Sequence, residues 1–231
     1  AIGLMDYNTM VTESKDLNYV TNSNLNPELL YAFIGMPRLW EAVYAGLYGQ
    51  LLFGVKNEIL ELYFYDRADT RLTMYSSIST GNSAYKTYSK SHKYAANINC
   101  GNISTNYALD LADIYVEYAE CLARSGNLDK AAELLVELRR HRMEPGHEAI
   151  PADVSTKDDM IRFAFEEGMR ERLGFGTSWF EMKRLWNDPL FQDLKQYYVH
   201  TVGNETYRLT EDRLYMKIPP TVIAWHPEYS K

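Results

Sequence analysis

The sequence predicts a mainly α fold with a minor β component: a helical body carrying a few short antiparallel strands. Three observations predict it. Apolar residues recur at helical spacing through much of residues 107–187. Ser125-Gly126-Asn127 and Pro145-Gly146 punctuate that stretch as helix ends. Near the end, strand-forming residues flank a Gly203-Asn204 turn.

Residues 1–26 are polar and rich in Asn, Thr and Ser, and read as irregular. Residues 27–106 read as mixed strand, helix and loop. Leu29 to Ile34 is a short apolar run entered at Asn26-Pro27 and closed by Gly35-Met36-Pro37, which suits a buried strand. Trp40, Val43, Tyr44, Leu47, Tyr48 and Leu51 then fall on one helical face. Asn57 to Tyr65 starts a further helical turn or two and leads into the charged cluster Asp66 to Arg71. Residues 76–92 read as loop or hairpin, and Asn97 to Asn106 as a polar linker.

The helical stretch is clearer. Leu111, Ile114, Tyr115, Tyr118, Ala119 and Leu122 share a helix face, with Asp110 placed to cap its start. Gly126 is the expected left-handed residue at its end. Leu128, Ala131, Ala132, Leu135 and Leu138 mark the next helix. Arg139, Arg140, His141 and Arg142 crowd its C-terminus, where cations complement the helix dipole. The pair resembles one tetratricopeptide-type unit, with no second copy in the sequence, so it must pack on something else. Ser155 or Thr156, with an Asp three residues on, starts a third helix through Met160, Ile161, Ala164, Phe165 and Met169. A short helix runs from Thr177 or Ser178 to Trp186. Residues 188–231 read as short strands and a tail: a hairpin over 198–209, then a strand over Arg213 to Ile218 stopped by Pro219-Pro220.

Composition narrows the function classes. The net charge of −7 argues against a nucleic-acid partner. No apolar run approaches the ~20 residues that span a bilayer. Two cysteines cannot form a disulfide framework. Cys121 sits in a helical pattern and reads as a small buried residue, with a Cys100–Cys121 bridge as the alternative. The 19 Tyr, 4 Trp and 8 Phe suit either an aromatic-rich core or a surface that binds flat or sugar-like ligands.

Five segments, in order, carry a family resemblance. They are Asn26-Pro-Glu-Leu-Leu-Tyr31, the stretch Tyr65-Asp66 to Asp69-Thr70-Arg71, Asp110 to Glu120, Glu171-Arg172 with Trp179-Phe-Glu-Met-Lys-Arg184, and Ile218 to Pro227. Together they resemble the C-terminal half of the SusD/RagB family of nutrient-binding outer-membrane lipoproteins. Gly174 to Ser178 and Glu181 depart from its pattern, which marks a divergent branch. The resemblance implies that residues 1–231 form the C-terminal part of a longer SusD-like protein, as one compact unit. The missing half would carry the lipid-bearing cysteine. It further implies capture of a nutrient, foremost a glycan, on the outer face of the outer membrane of Bacteroidetes-type bacteria. The captured ligand would pass to a SusC-like TonB-dependent transporter.

The resemblance places Trp40, Tyr44 and Tyr48 in the segment where the family carries a variable loop with aromatic glycan contacts. These three are the candidate ligand-binding residues, and a buried core stripe is the alternative reading. Glu171, Arg172, Trp179, Phe180, Glu181 and Arg184 are read as fold-holding, with Arg184 pairing Glu181 or Glu171. The five His show no metal-ligand spacing, and no phosphate loop or nucleophile elbow occurs, so neither metal nor cofactor is expected. Glu166, Glu167 and Glu171 lie close on one helix beside arginines and read as ion pairs. The protein is therefore read as a non-enzyme. Two alternatives stay open: a tetratricopeptide-like scaffold for a protein partner, and a glycoside hydrolase, which needs two carboxyl groups in a cleft.

Overall fold

A computed structural model describes residues 3–12, 27–32, 57–66, 68–71, 108–172, 178–215 and 217–230. The fold is mainly helical with minor antiparallel strands. Its internal contacts divide it into two units, Ala1–Ser178 and Trp179–Lys231.

The first unit contains α1 (Tyr7–Thr12), β1 (Leu29–Ala32), α2 (Asn57–Tyr63), β2 (Ala108–Asp110), α3 (Leu111–Arg124), α4 (Leu128–Arg140) and α5 (Lys157–Glu171). The helical hairpin α3–α4 forms because its local signals agree. Gly126 takes φ of +89°, which an L side chain resists, and its amide bonds the Ala123 carbonyl at 2.9 Å. Asn127 then caps α4 by accepting the Lys130 amide. Ala119, Ala123 and Ala131 are fully buried, and such small residues let helices approach closely. Leu135 and Leu138, also fully buried, supply apolar bulk.

Helix α5 packs against α2, α3 and α4. Thr156 and Asp159 form a reciprocal capping box at its start. Gly168 costs an interior helix position about 1 kcal/mol against Ala. Here a Cβ would lie 2.7 Å from the Arg172 guanidinium and 3.5 Å from Val116, so glycine allows α3 and Arg172 to come close.

Some expectations fail. Cys121 is exposed, because the buried face of α3 runs through Ala112, Val116, Ala119 and Ala123. Asp110 stands at the N-cap of α3, but its side chain makes no cap bond. Residues 108–110 pair antiparallel with β1, a partner distant in sequence that the polar linker upstream gave no sign of.

In the second unit, α6 (Ser178–Leu185) leads to a 3-10 helix at Pro189–Tyr197, the hairpin β3 (Val199–Val202) and β4 (Glu205–Arg208), and α7 (Pro220–Trp225). Gly203 has φ of +61° in the hairpin turn, as the sequence expects. Trp186 stacks on Tyr198 with centroids 6.2 Å apart, and the Lys195 ammonium sits 4.4 Å from the Trp186 ring. The expected strand at 213–218 is not one: Glu211–Arg213 is a 3-10 turn, and Leu214 and Tyr215 follow as a bend. Leu214 is buried, while Tyr215 and Ile218 are exposed.

Candidate functional site

The Asp69 to Arg71 cluster, the C-terminus of α4 and the last turn of α5 converge on a buried ion network. Arg71, fully buried, grips Asp69 with two bonds, Nε to Oδ1 at 2.8 Å and Nη2 to Oδ2 at 2.6 Å. Its Nη1 donates to Glu167 at 2.7 Å and to Glu171 at 2.8 Å. Arg139 donates to Glu167 at 2.6 Å and to the carbonyls of His147 and Glu148. Arg142, also fully buried, donates to Glu171 at 3.0 Å, to Glu28 at 2.7 Å and to the Met5 carbonyl at 2.5 Å. Its guanidinium lies 4.1 Å from the Tyr7 ring centroid. Arg170 lies 3.7 Å from Glu167 and beside the rings of Tyr65 and Phe163.

Four guanidinium groups thus meet Asp69, Glu28, Glu167 and Glu171, so the buried set is close to neutral. Neutrality and multiple bonds are what allow charges to stay buried. The arrangement uses the flat fork of arginine, which serves several acceptors at once where lysine offers a single point charge. The chain ends it ties together are far apart: the N-terminal segment, the start of β1, the stretch after α2, α4 and α5.

Burial by itself would raise the Glu167 carboxyl, but Arg170, Arg71 and Arg139 outweigh it and hold that group well below the usual carboxylate range. A depressed folded-state pKa contributes stability above the unfolded value, near 4.3, and that stability is lost as pH falls below it. Urea-unfolding free energies are expected to fall from about pH 5 to about pH 3, and the fall to become shallower in a Glu167→Gln chain. An equally steep fall in that variant would assign the acid limb to other groups.

Trp40, Tyr44 and Tyr48 lie outside the described residues, as does Cys100. Glu171 belongs to the network. Arg172 leaves it and pairs with Glu117 of α3 at 3.1 Å, with Asp113 at 3.7 Å. In the second unit, Arg184 pairs with Glu181 at 2.5 Å within α6. Trp179 is 36% exposed and Phe180 70% exposed. Trp225, the last residue of the short helix α7, is 83% exposed.

The carboxylates weighed for hydrolysis are occupied. Glu167 is fully buried and held by arginines, Glu171 is held by Arg71 and Arg142, and Glu166 lies 3.7 Å from Arg162 and 3.8 Å from Arg170. Among the described residues no group of His, Cys, Asp and Glu is arranged to hold a metal ion. No helix among them is long and apolar enough to cross a membrane.

Sequence reasoning missed Glu28, Arg139, Arg142 and Arg170 as network members. The signal present was a crowd of arginines closing α4 and of glutamates closing α5, which reads equally well as two solvated helix ends. Comparison with known proteins adds a family to this geometry. The family model described as the SusD family matches residues 55–226, well over half of the chain. A search of curated proteins finds no match.

Proposed function

The chain belongs to the SusD family, and from that premise we propose that it captures a glycan at the cell surface without chemical conversion and passes it to a SusC-like TonB-dependent transporter. Membership itself implies a nutrient-binding role in outer-membrane uptake. The family match over residues 55–226 is the observation that carries the reading. In this proposal the protein sits on the outer face of the outer membrane, held there by a lipid anchor.

Trp40, Tyr44 and Tyr48 are the proposed contacts. Aromatic planes bind the C–H faces of sugar rings and exclude water, while neighbouring polar groups fix orientation. The buried ion network supports a division of labour. It braces the helices that follow the aromatic segment in the chain, and its carboxylates are committed to arginines instead of to substrate.

A panel of oligosaccharides measured by calorimetry is expected to give binding without product. Trp40→Ala is expected to weaken the best ligand at least about tenfold, near 1.4 kcal/mol, with unchanged thermal stability. Product formation would overturn the binding-only reading. Loss of the fold in Trp40→Ala would place Trp40 in the core and remove it from the site.

A further inference from the structure

Helix α3 starts on an unusual cap. Asp110 holds the N-cap position, where a carboxylate ordinarily accepts an amide of the first turn, yet it makes no such bond. Its Oδ1 is buried and finds no hydrogen-bond partner among the described residues. The reverse half of the usual exchange is present: Asp113 accepts the backbone amide of Asp110. Around Asp110, acidic groups arrive from every side. Asp113 comes from α3 itself, Glu28 from the turn before β1, and Glu171 from α5; Arg142, after α4, is the cation facing it. Arg172 and Glu117 act on Asp113 instead.

This cap is also a junction. Asp110 is the last residue of β2 and pairs with Leu29 of β1. The next amide, Leu111, donates to the Glu28 carbonyl at 2.8 Å. In the chain, β1 and β2 bracket residues 33–107.

We infer that this junction is a proton-linked latch, closed when Asp110 is neutral and loosened when Asp110 carries its charge. An ionised, half-buried carboxylate whose Oδ1 has no donor among the described residues, set among three others, favours any opening that lets water reach it. A neutral carboxyl removes one negative charge from the crowd and lets the strand pair and the helix start stay seated. The titration follows the same physics. Burial foremost, then Asp113, Glu28 and Glu171, push Asp110 up to about 7 against the opposing effect of Arg142. Burial likewise raises Asp113, to about 6.

The sign is set by comparing the closed junction with an opened one in which Asp110 is hydrated and titrates near 3.9. Below about pH 4 the carboxyl is neutral in both forms, and opening does not depend on pH. Between about 4 and about 7 opening releases a proton, so the opening constant rises, by at most tenfold per pH unit. Above about 7 both forms are ionised and the constant levels off at its highest value.

The test is amide hydrogen exchange of Leu111 and the β1–β2 ladder in the intact chain, corrected for intrinsic exchange rates, with NMR titration of the Asp110 carboxyl carbon. The opening constant is expected to rise at least tenfold between pH 5 and pH 7, and Asp110 to titrate above pH 6. In Asp110→Asn, which mimics the neutral form, the rise is expected to shrink and to end by about pH 6, leaving the Asp113 contribution. In Asp113→Asn the rise is expected to persist. Titration of Asp110 below pH 5, a flat opening constant, or an undiminished rise in Asp110→Asn would each overturn the latch. Both measurements on the unsubstituted chain decide the matter even if the Asn variant fails to fold.

Discussion

An Arg142→Met chain is expected to lose about 3–5 kcal/mol of folding stability, the cost of breaking a buried ion pair from one side. Methionine replaces much of the volume, so the loss is one of charge and hydrogen bonding. Glu28 and Glu171 would lose the donors that hold them at 2.7 and 3.0 Å, in a site that excludes water. The Met5 carbonyl would lose its bond as well, and the Tyr7 ring its cation. Against a typical total of 5–15 kcal/mol, this removes a large share of the stability. Arg140→Met is the control. Arg140 pairs with Glu137 at the exposed surface of α4, where such pairs contribute about 0–1 kcal/mol. Urea unfolding of both variants would show the contrast. An Arg142→Met loss within 1 kcal/mol of the control would mean that the network relaxes or hydrates and does not hold the fold.

Leu135→Ala is expected to cost about 2–5 kcal/mol. Leu135 is fully buried on the face of α4 that also carries Ala131 and Leu138. The alanines at 119, 123 and 131 are already minimal, so the leucines supply the bulk between these helices. Removing three carbons there leaves a cavity that close-packed helices cannot easily collapse. The spread in the expected loss reflects how far they can. Leu134, half-buried on the adjacent face, is the comparison, and Leu134→Ala is expected to cost clearly less. Equal losses from both would show that the α3–α4 contact is not the tight one its alanines imply.

These two predictions differ in how visible their causes are in the sequence. The Leu135 position follows from helical spacing alone, because a regular helix places every third or fourth residue on one face. The role of Arg142 does not. It sits 114 positions from Glu28 and 29 from Glu171, and nothing local distinguishes it from Arg140, whose side chain faces water. Asp69 and Arg71 stand out only as a short charged motif. Their attachment to Glu167 crosses a separation of 96 residues. The aromatic stripe is legible as a pattern, but a pattern of rings on one face is the same whether that face meets a ligand or a core.

The amino-acid sequence by itself determined the helices α3, α4 and α5, the left-handed turn at Gly126, the capping box that starts α5, the hairpin turn at Gly203 and the family. Each of these depends on interactions within a few residues, or on motifs kept in order along the chain. Tertiary structure alone decided which charges are buried, that β1 pairs with β2, that Cys121 faces outward, and that Asp110 is a crowded cap whose Oδ1 has no partner among the described residues. Those outcomes depend on desolvation and on the company of distant residues. Burial changes the energy of a charge by more than any local propensity, and the sequence does not state which charges will be buried together.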